Sequence, residues 1–328
     1  MISQGKDMRY HGKVPSPKEL PAELLKLAAS RHGCVTAREL RDLAVTRGLQ
    51  GRRVANGNLV PMTRGVVAVA ELIDPWTPVA AWQLAYPTLV AERRTSAAIW
   101  GLAGAAEAGI VDLDLVAPTS RRVERRGAPS FRVFALPDKA VTETQGLRVT
   151  TVTWTLGELG AAPDVDADRV ELALESALHA RLTTEGQLRK VLEYRSGPQW
   201  PGTDVLAAAL ARRQPGAPPT ESYAETRFLQ RIVRPLELED PERQVPFGSA
   251  GQRRLYRADF VFRRRGALNV EIDGRGQHGD ATAHDHDTLR DHVARVNGLQ
   301  VVRFSAWRID HRQREVQRFL LAELERVA

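Results

Sequence analysis

The spacing of apolar positions divides the chain into three stretches. In the first, Leu24, Leu25, Leu27 and Ala28 fall on one face of a helix over 21–32, and Gly33 stops it. Thr36, with Glu39 three residues on, reads as the capping box of a second helix that runs to about Arg47 and ends at Gly48. A short third helix follows over 51–58. Two short apolar runs within 59–70 then flank Thr63-Arg64-Gly65, the pattern of a β-hairpin. The second stretch, 74–213, shows apolar helices at 78–86 and 91–102 and strands at 111–117, 131–136 and 147–152. Helices at 167–182, 184–194 and 203–213 complete it. Pro and Gly crowd 214–221, which reads as a linker. The third stretch, 222–328, alternates differently: a helix over 222–234 and strands at 242–247, 255–263 and 267–273. A helix over 283–297, a strand at 299–305 and a last helix follow. The expectation is a mixed α/β, multidomain protein, with an α+β domain between a small helical head and a C-terminal α/β layer. Residues 1–19 read as a flexible leader, with Met8 as a second candidate start.

Charge sharpens this division. The formal net charge is +7, which favours an anionic partner. Residues 20–65 hold eight Lys/Arg (Lys26, Arg31, Arg38, Arg41, Arg47, Arg52, Arg53, Arg64) against three acids (Glu23, Glu39, Asp42), a local excess of +5. Residues 214–328 hold 19 Arg and 17 acids and no Lys. The single cysteine, Cys34, excludes an intramolecular disulfide and a Cys-based zinc site within one chain. That usage fits a reducing cytoplasm. No apolar run approaches the roughly 18–20 residues of a membrane helix, and the N-terminus lacks the apolar core of a signal peptide.

Three short helices followed by a hairpin is the order of a winged helix-turn-helix, which sets one helix in the major groove and its wing on phosphate. Arg38, Arg41, Arg52, Arg53 and Arg64 are the candidate DNA contacts there; an ordinary charged face on a protein-interaction module is the alternative. The segment from about Leu24 to Val69, with RHGCVTARELRDLAV and NLVPMTRGVVAV, resembles the winged-helix head of AbiEi-type antitoxins. The TSAAIWGL stretch (Thr95–Leu102) resembles that family's next region, and the likeness covers roughly the first 200 residues. It implies promoter DNA of the protein's own operon as a target, and a cognate toxin or other protein as a possible partner. Arg121, Arg122, Arg125 and Arg126 form a basic cluster between strands, either a solvated loop or a phosphate contact.

The chemistry concentrates in Asp259 and in Glu271-Ile272-Asp273. Residues two apart on a strand share a face, so Glu271 and Asp273 can converge, and a paired neighbouring strand would bring Asp259 to them. Acids interrupting apolar strands are costly if buried and unpaired, and a cation or an Arg partner would offset that cost. Three such carboxylates suit Mg2+ (or Mn2+), with Asp259, Glu271 and Asp273 as ligands. Glu225 on the preceding helix can add a fourth. The series Glu225 in SYAETRFL, Asp259 in YRADFVF, Glu271 and Asp273 in NVEIDGRGQH, then Asp287, Arg290 and Asp291 and the strand LQVVRFS, resembles the very short patch repair-like branch of PD-(D/E)XK proteins, which are restriction-endonuclease-like. It covers about residues 220–310. The superfamily's Lys is replaced by Asp273, so proton transfer needs another group; His278, His284, Arg275 and Arg290 are at hand. His284-Asp285-His286-Asp287 cannot all bind one ion on a helix and reads as a polar helix start. Arg290 is a candidate DNA contact.

Two readings follow. One is a Mg2+-dependent DNA endonuclease aimed by its winged helix, related to toxin–antitoxin or phage-defence systems. The other is a non-catalytic DNA-binding regulator or antitoxin with a degenerate nuclease domain. A toxin-like RNase is a third, which these residues do not separate from a DNase.

Overall fold

The protein is described by a computed structural model over residues 20–105, 112–117, 131–195, 197, 200–214, 216–248, 256–263, 266–273 and 290–327. It is mixed α/β and divides into two compact units. The first is Met1–Thr95 with Ile110–Thr151, the second Ser96–Gly109 with Val152–Ala328.

The first unit opens with α1 (Ala22–Ala29), β1 (Cys34–Thr36), α2 (Ala37–Asp42), α3 (Arg47–Ala55) and the hairpin β2 (Leu59–Thr63) and β3 (Val66–Val69). Three helices and an antiparallel sheet in the order β1-β3-β2 give the expected winged-helix order. Leu24, Ala28, Val35, Leu40, Leu59 and Val69 close its core. The Thr36–Glu39 box forms as expected: Glu39 N–H donates to Thr36 Oγ1 at 3.1 Å, and Thr36 N–H donates to Glu39 Oε2 at 2.8 Å. Gly33 does more than stop a helix. It sits at φ +81°, and a Cβ there would lie 2.7 Å from the Leu72 carbonyl oxygen, so only glycine fits. β1 was not expected, because three residues carry too little alternation; its pairing with β3 (Val35↔Val67) defines it.

The rest of this unit holds α4 (Thr77–Ala85), β4 (Val90–Ala91), the start of α5 (Arg93–Ile99), β5 (Leu115–Ala117), β6 (Phe131–Val133), β7 (Val141–Thr144) and β8 (Leu147–Thr150). The sheet order is β6-β5-β4-β8-β7. The helix expected over 91–102 starts later because Ala91 pairs with both Leu115 and Val149 as a strand. The buried acids Asp114 and Glu92 are met by Arg94 and Arg132 at 2.8 and 2.6 Å. The Arg121, Arg122, Arg125, Arg126 cluster lies outside the described residues.

The second unit contains α6 (Val152–Leu159), α7 (Ala167–His179), α8 (Glu185–Tyr194) and α9 (Thr203–Ala211). Leu156, Val170, Leu174, Leu188 and Leu206 share their core. The strand expected to reach 152 ends at Thr150, and α6 begins instead. Val152, Leu156 and Leu159, spaced i, i+4, i+7, bury one face, and this packing overrides the β-preference of Val, Thr and Trp.

Next come α10 (Tyr223–Phe228), β9 (Glu242–Phe247), β10 (Tyr256–Phe262), β11 (Leu268–Asp273), the helical residues 290–296 (α11), β12 (Gln300–Ser305), α12 (Ala306–His311) and α13 (Gln313–Arg326). The sheet order is β12-β11-β10-β9, with β11 antiparallel to β10 and parallel to β12. This α-β-β-β-α-β order is the one expected for the C-terminal layer. The chain leaves α10 through one π-turn (Leu229–Val233) and a 3-10 turn at Pro235. Phe228 packs on Phe260 (5.2 Å between ring centres) in a core with Ile232, Val270, Val316 and Leu320.

Two buried acids one turn apart on α7 tie these layers together. Glu171 binds Arg234, and Glu175 binds Arg213, Arg243 (3.1 Å) and the Thr220 N–H (3.1 Å). No helix among the described residues is long and apolar enough to cross a membrane.

Candidate functional site

The alternation of β11 divides its side chains. Leu268 and Val270 join the Phe228 core, while Asn269 and Glu271 take the other face of the strand, both buried. The apolar Val261, Val293, Ala294 and Leu299 form a second cluster there, under α11. The register Phe260↔Val270, continued by one step, sets Asp259 opposite Glu271. Asp259 Oδ2 accepts the Ile272 N–H at 2.8 Å, taking the place of a ladder carbonyl. The strand register thus sets Asp259 and Glu271 across from one another.

What surrounds Glu271 is a pair of guanidinium groups. Glu271 Oε1 accepts from Asn269 Nδ2 at 3.0 Å and pairs with Arg290 Nη2 at 2.8 Å. Its Oε2 accepts from Arg303 Nε at 3.0 Å. Arg303 stands beside it in the parallel register (Glu271↔Arg303), and its Nη1 and Nη2 clasp both oxygens of Asp291 on α11, the first at 3.0 Å. Arg290 Nη2 also donates to the Arg257 carbonyl at 3.2 Å. The buried-acid cost raised by the sequence is thus offset by Arg.

Glu225 comes from α10. Ser222 caps this helix, accepting the Glu225 N–H at 3.1 Å. Glu225 Oε2 accepts from the Glu221 N–H at 2.9 Å and from Gln244 Nε2 at 2.8 Å. Gln244 lies in the left-handed region at φ +52°, a strained position for a strand residue. Asp273 pairs with Ser305 in the register, and its charge helps hold the proton on Arg303.

Burial dominates the acids' proton affinities. It pushes Glu225 up to about 7, with the charges of Asp259 and Glu221 adding and the Glu221 N–H and Ser222 opposing. Burial also raises Asp259 against the Ile272 N–H and Arg290, and raises Glu271 against Arg290 and Arg303. Asp291 goes the other way, held low by its bond to Arg303.

The donor set fits a hard divalent cation in chemistry. All of its ligating atoms are oxygens, and such an ion needs only one or two carboxylates besides substrate oxygens. Two buried carbonyl oxygens in the same setting, Gln244 Oε1 and Asn269 Oδ1, have no hydrogen-bond partner among the described residues. Among those residues no group of three or more His, Cys, Asp or Glu is gathered as a metal cluster. Arg290 and Arg303 hold the Glu271 oxygens that an ion would use. His278, Arg275, His284, His286, Asp285 and Asp287 lie outside the described residues.

In the first unit, Arg38, Arg41, Arg52 and Arg64 are exposed, Arg64 at the turn of the β2–β3 hairpin. Arg53 is not: it is 7% exposed, on the inner face of α3, and is withdrawn from the candidate surface. Arg47, at the exposed start of α3, is the cation better placed to replace it. In the second unit the residues that sequence reasoning passed over are Arg303, Asn269 and Gln244. A signal for Arg303 existed: it is a lone cation in the middle of the apolar strand Val301-Val302-Arg303-Phe304.

No family model matches the chain, and no curated protein matches it. Among solved structures it is similar to the crystal structure of the RV2827C protein from Mycobacterium tuberculosis, with a TM-score of 0.39 and 15% identity. That match covers 58% of this chain and 80% of the other.

Proposed function

We propose that the protein is a divalent-cation-dependent endonuclease acting on DNA, directed by the basic winged-helix head. The observation that carries the reading is the meeting of Asp259 and Glu271 across β10 and β11, with Glu225 close enough for its proton affinity to feel Asp259. Asp259, Glu271 and Asp273 are the residues that would hold Mg2+ or Mn2+. The bound ion would supply charge for the phosphate and a more acidic water. Glu225, near half-charged at neutral pH, can take or give a proton there, the role that the absent lysine leaves open. Arg290 and Arg303 provide positive charge for a phosphodiester. The head contributes sequence-independent phosphate contacts through Arg38, Arg41, Arg52 and Arg64. A cytoplasmic place and a toxin–antitoxin or phage-defence setting go with this proposal, as does a cognate protein partner.

A second reading is favoured by the guanidinium grip on Glu271: a DNA-binding regulator or antitoxin whose acidic site is silent. Cleavage of supercoiled DNA with Mg2+ or Mn2+, by wild type and Glu271→Ala, separates the two. Nicking that needs the ion and disappears in Glu271→Ala supports the nuclease. Salt-sensitive DNA binding without cleavage, unchanged in Glu271→Ala, supports the regulator.

A further inference from the structure

The two arginines on Glu271 are held very differently. Arg303 is clamped: Nε binds Glu271 while both terminal nitrogens bind Asp291, so it pins α11 to the sheet. Arg290 is held through a single terminal nitrogen, shared between Glu271 Oε1 and the Arg257 carbonyl, although the two side chains are about equally exposed. A planar guanidinium with five donors is made for bidentate contact; among the described residues Arg290 uses one nitrogen. Its charge nonetheless reaches beyond the acid it touches. It lowers the proton affinity of Asp259, Glu271 and Asp291, so it sits in the field of all three acids.

We infer that Arg290 is a stand-in cation, which pairs with Glu271 beside Asp259 and exchanges onto a nucleic-acid phosphate when a divalent ion takes its place. The inference rests on the ion-binding part of the nuclease reading of this site, not on cleavage. The physical reason is mutual exclusion. A dication at Glu271 Oε1 would repel a guanidinium 2.8 Å from the same oxygen. Once released, Arg290 needs a new anion, and a phosphodiester offers two acceptor oxygens. The exchange makes ion and nucleic acid help each other bind, because each favours the state in which Arg290 has left Glu271.

The test uses the full chain and reads ion and nucleic-acid binding, set beside the nicking assay of the wild type. Mn2+ affinity without nucleic acid is measured for wild type, Arg290→Gln and Arg290→Lys. Removing the competing charge should tighten Mn2+ binding about tenfold in Arg290→Gln, while Arg290→Lys stays near wild type. Affinity for a cleavage-resistant duplex in the presence of Mn2+ should fall severalfold in Arg290→Gln, with a salt slope shallower by about one. Mn2+ binding that is unchanged or weaker in Arg290→Gln overturns the inference and leaves the nuclease reading standing. Tighter Mn2+ binding with no cleavage by wild type upholds the exchange and removes the nuclease. No Mn2+ binding by any of the three overturns both.

Discussion

Glu225 and Arg303 show how single residues set the behaviour of the acidic site. Glu225 rises from its ordinary 4.5 to about 7 because burial disfavours its charge. The folded protein therefore binds that proton more tightly than the unfolded chain. Its contribution to stability is fully present below about 4.5 and is lost as pH rises through 7. Glu225→Gln should remove this slope, leaving the variant more stable than wild type at pH 8 by up to about 3 kcal/mol; urea unfolding at pH 5 and pH 8 reads it. A slope undiminished in the variant would assign it to Asp259 or Glu271, which burial also raises. Arg303→Ala should act oppositely in kind, by breaking a half-buried pair. It leaves Asp291 without that partner and Glu271 with Arg290 alone, and should cost on the order of 1–2 kcal/mol, measured as a lower urea midpoint at pH 7. The sequence showed the acids here but not their partners. Strand alternation places Glu271 on a face; that Arg303 stands beside it depends on a parallel register set over 30 residues away in the chain.

At the scale of elements, long periodic segments and the short hairpin of β2 and β3 were readable, and several other short strands were not. β9 runs over Glu242–Phe247 as its alternation predicts, and α7 and α8 follow their apolar stripes. β1, β4 and β7 have three, two and four residues. β1 and β4 exist because distant partners supply hydrogen bonds, which a local pattern cannot report, while β7 is the near arm of a tight hairpin with β8. The same limit applied to α3. Its two arginines, Arg52 and Arg53, look alike in sequence, yet the 100° step between them turns one to solvent and one inward. If the head binds DNA through phosphates, Arg52→Ala should reduce the salt slope of binding by about one, with stability unchanged. Arg53→Ala should lower the melting temperature with no such specific change in slope. Equal effects of the two on the slope would place the interface elsewhere.

At the scale of the whole molecule, the chain's compact units do not simply follow its order. Residues 96–109 group with Val152–Ala328, and Ala97 and Leu102 share a core with α6, α7 and α9. Within this unit the Pro/Gly stretch over 214–221 is bracketed by buried charges: Arg213 before it and Arg243 after it bind the same Glu175. Composition marks a turn-rich stretch, but it says nothing about ion pairs formed across it. Residues 222–328 produced alone would leave Arg234 and Arg243 without Glu171 and Glu175. Such a fragment should unfold at clearly lower urea than the full chain's second unit, and Glu175→Ala in the full chain should weaken that unit by about 3–5 kcal/mol. An isolated fragment as stable as the parent would show these pairs to be dispensable.

The proposal that unites these scales is an acidic centre built by Asp259 and Glu271 to cut DNA. Its most direct test is a time course of plasmid nicking in Mg2+ by wild type and Asp259→Asn, with both shown to be folded by their unfolding curves. Asp259→Asn preserves the shape at Ile272 while removing the charge. Nicking by wild type that stops on chelation and is reduced at least about a hundredfold in Asp259→Asn, roughly 2.7 kcal/mol of barrier, is the predicted result. Equal nicking by the two proteins, or none by wild type on DNA that it binds, would contradict it.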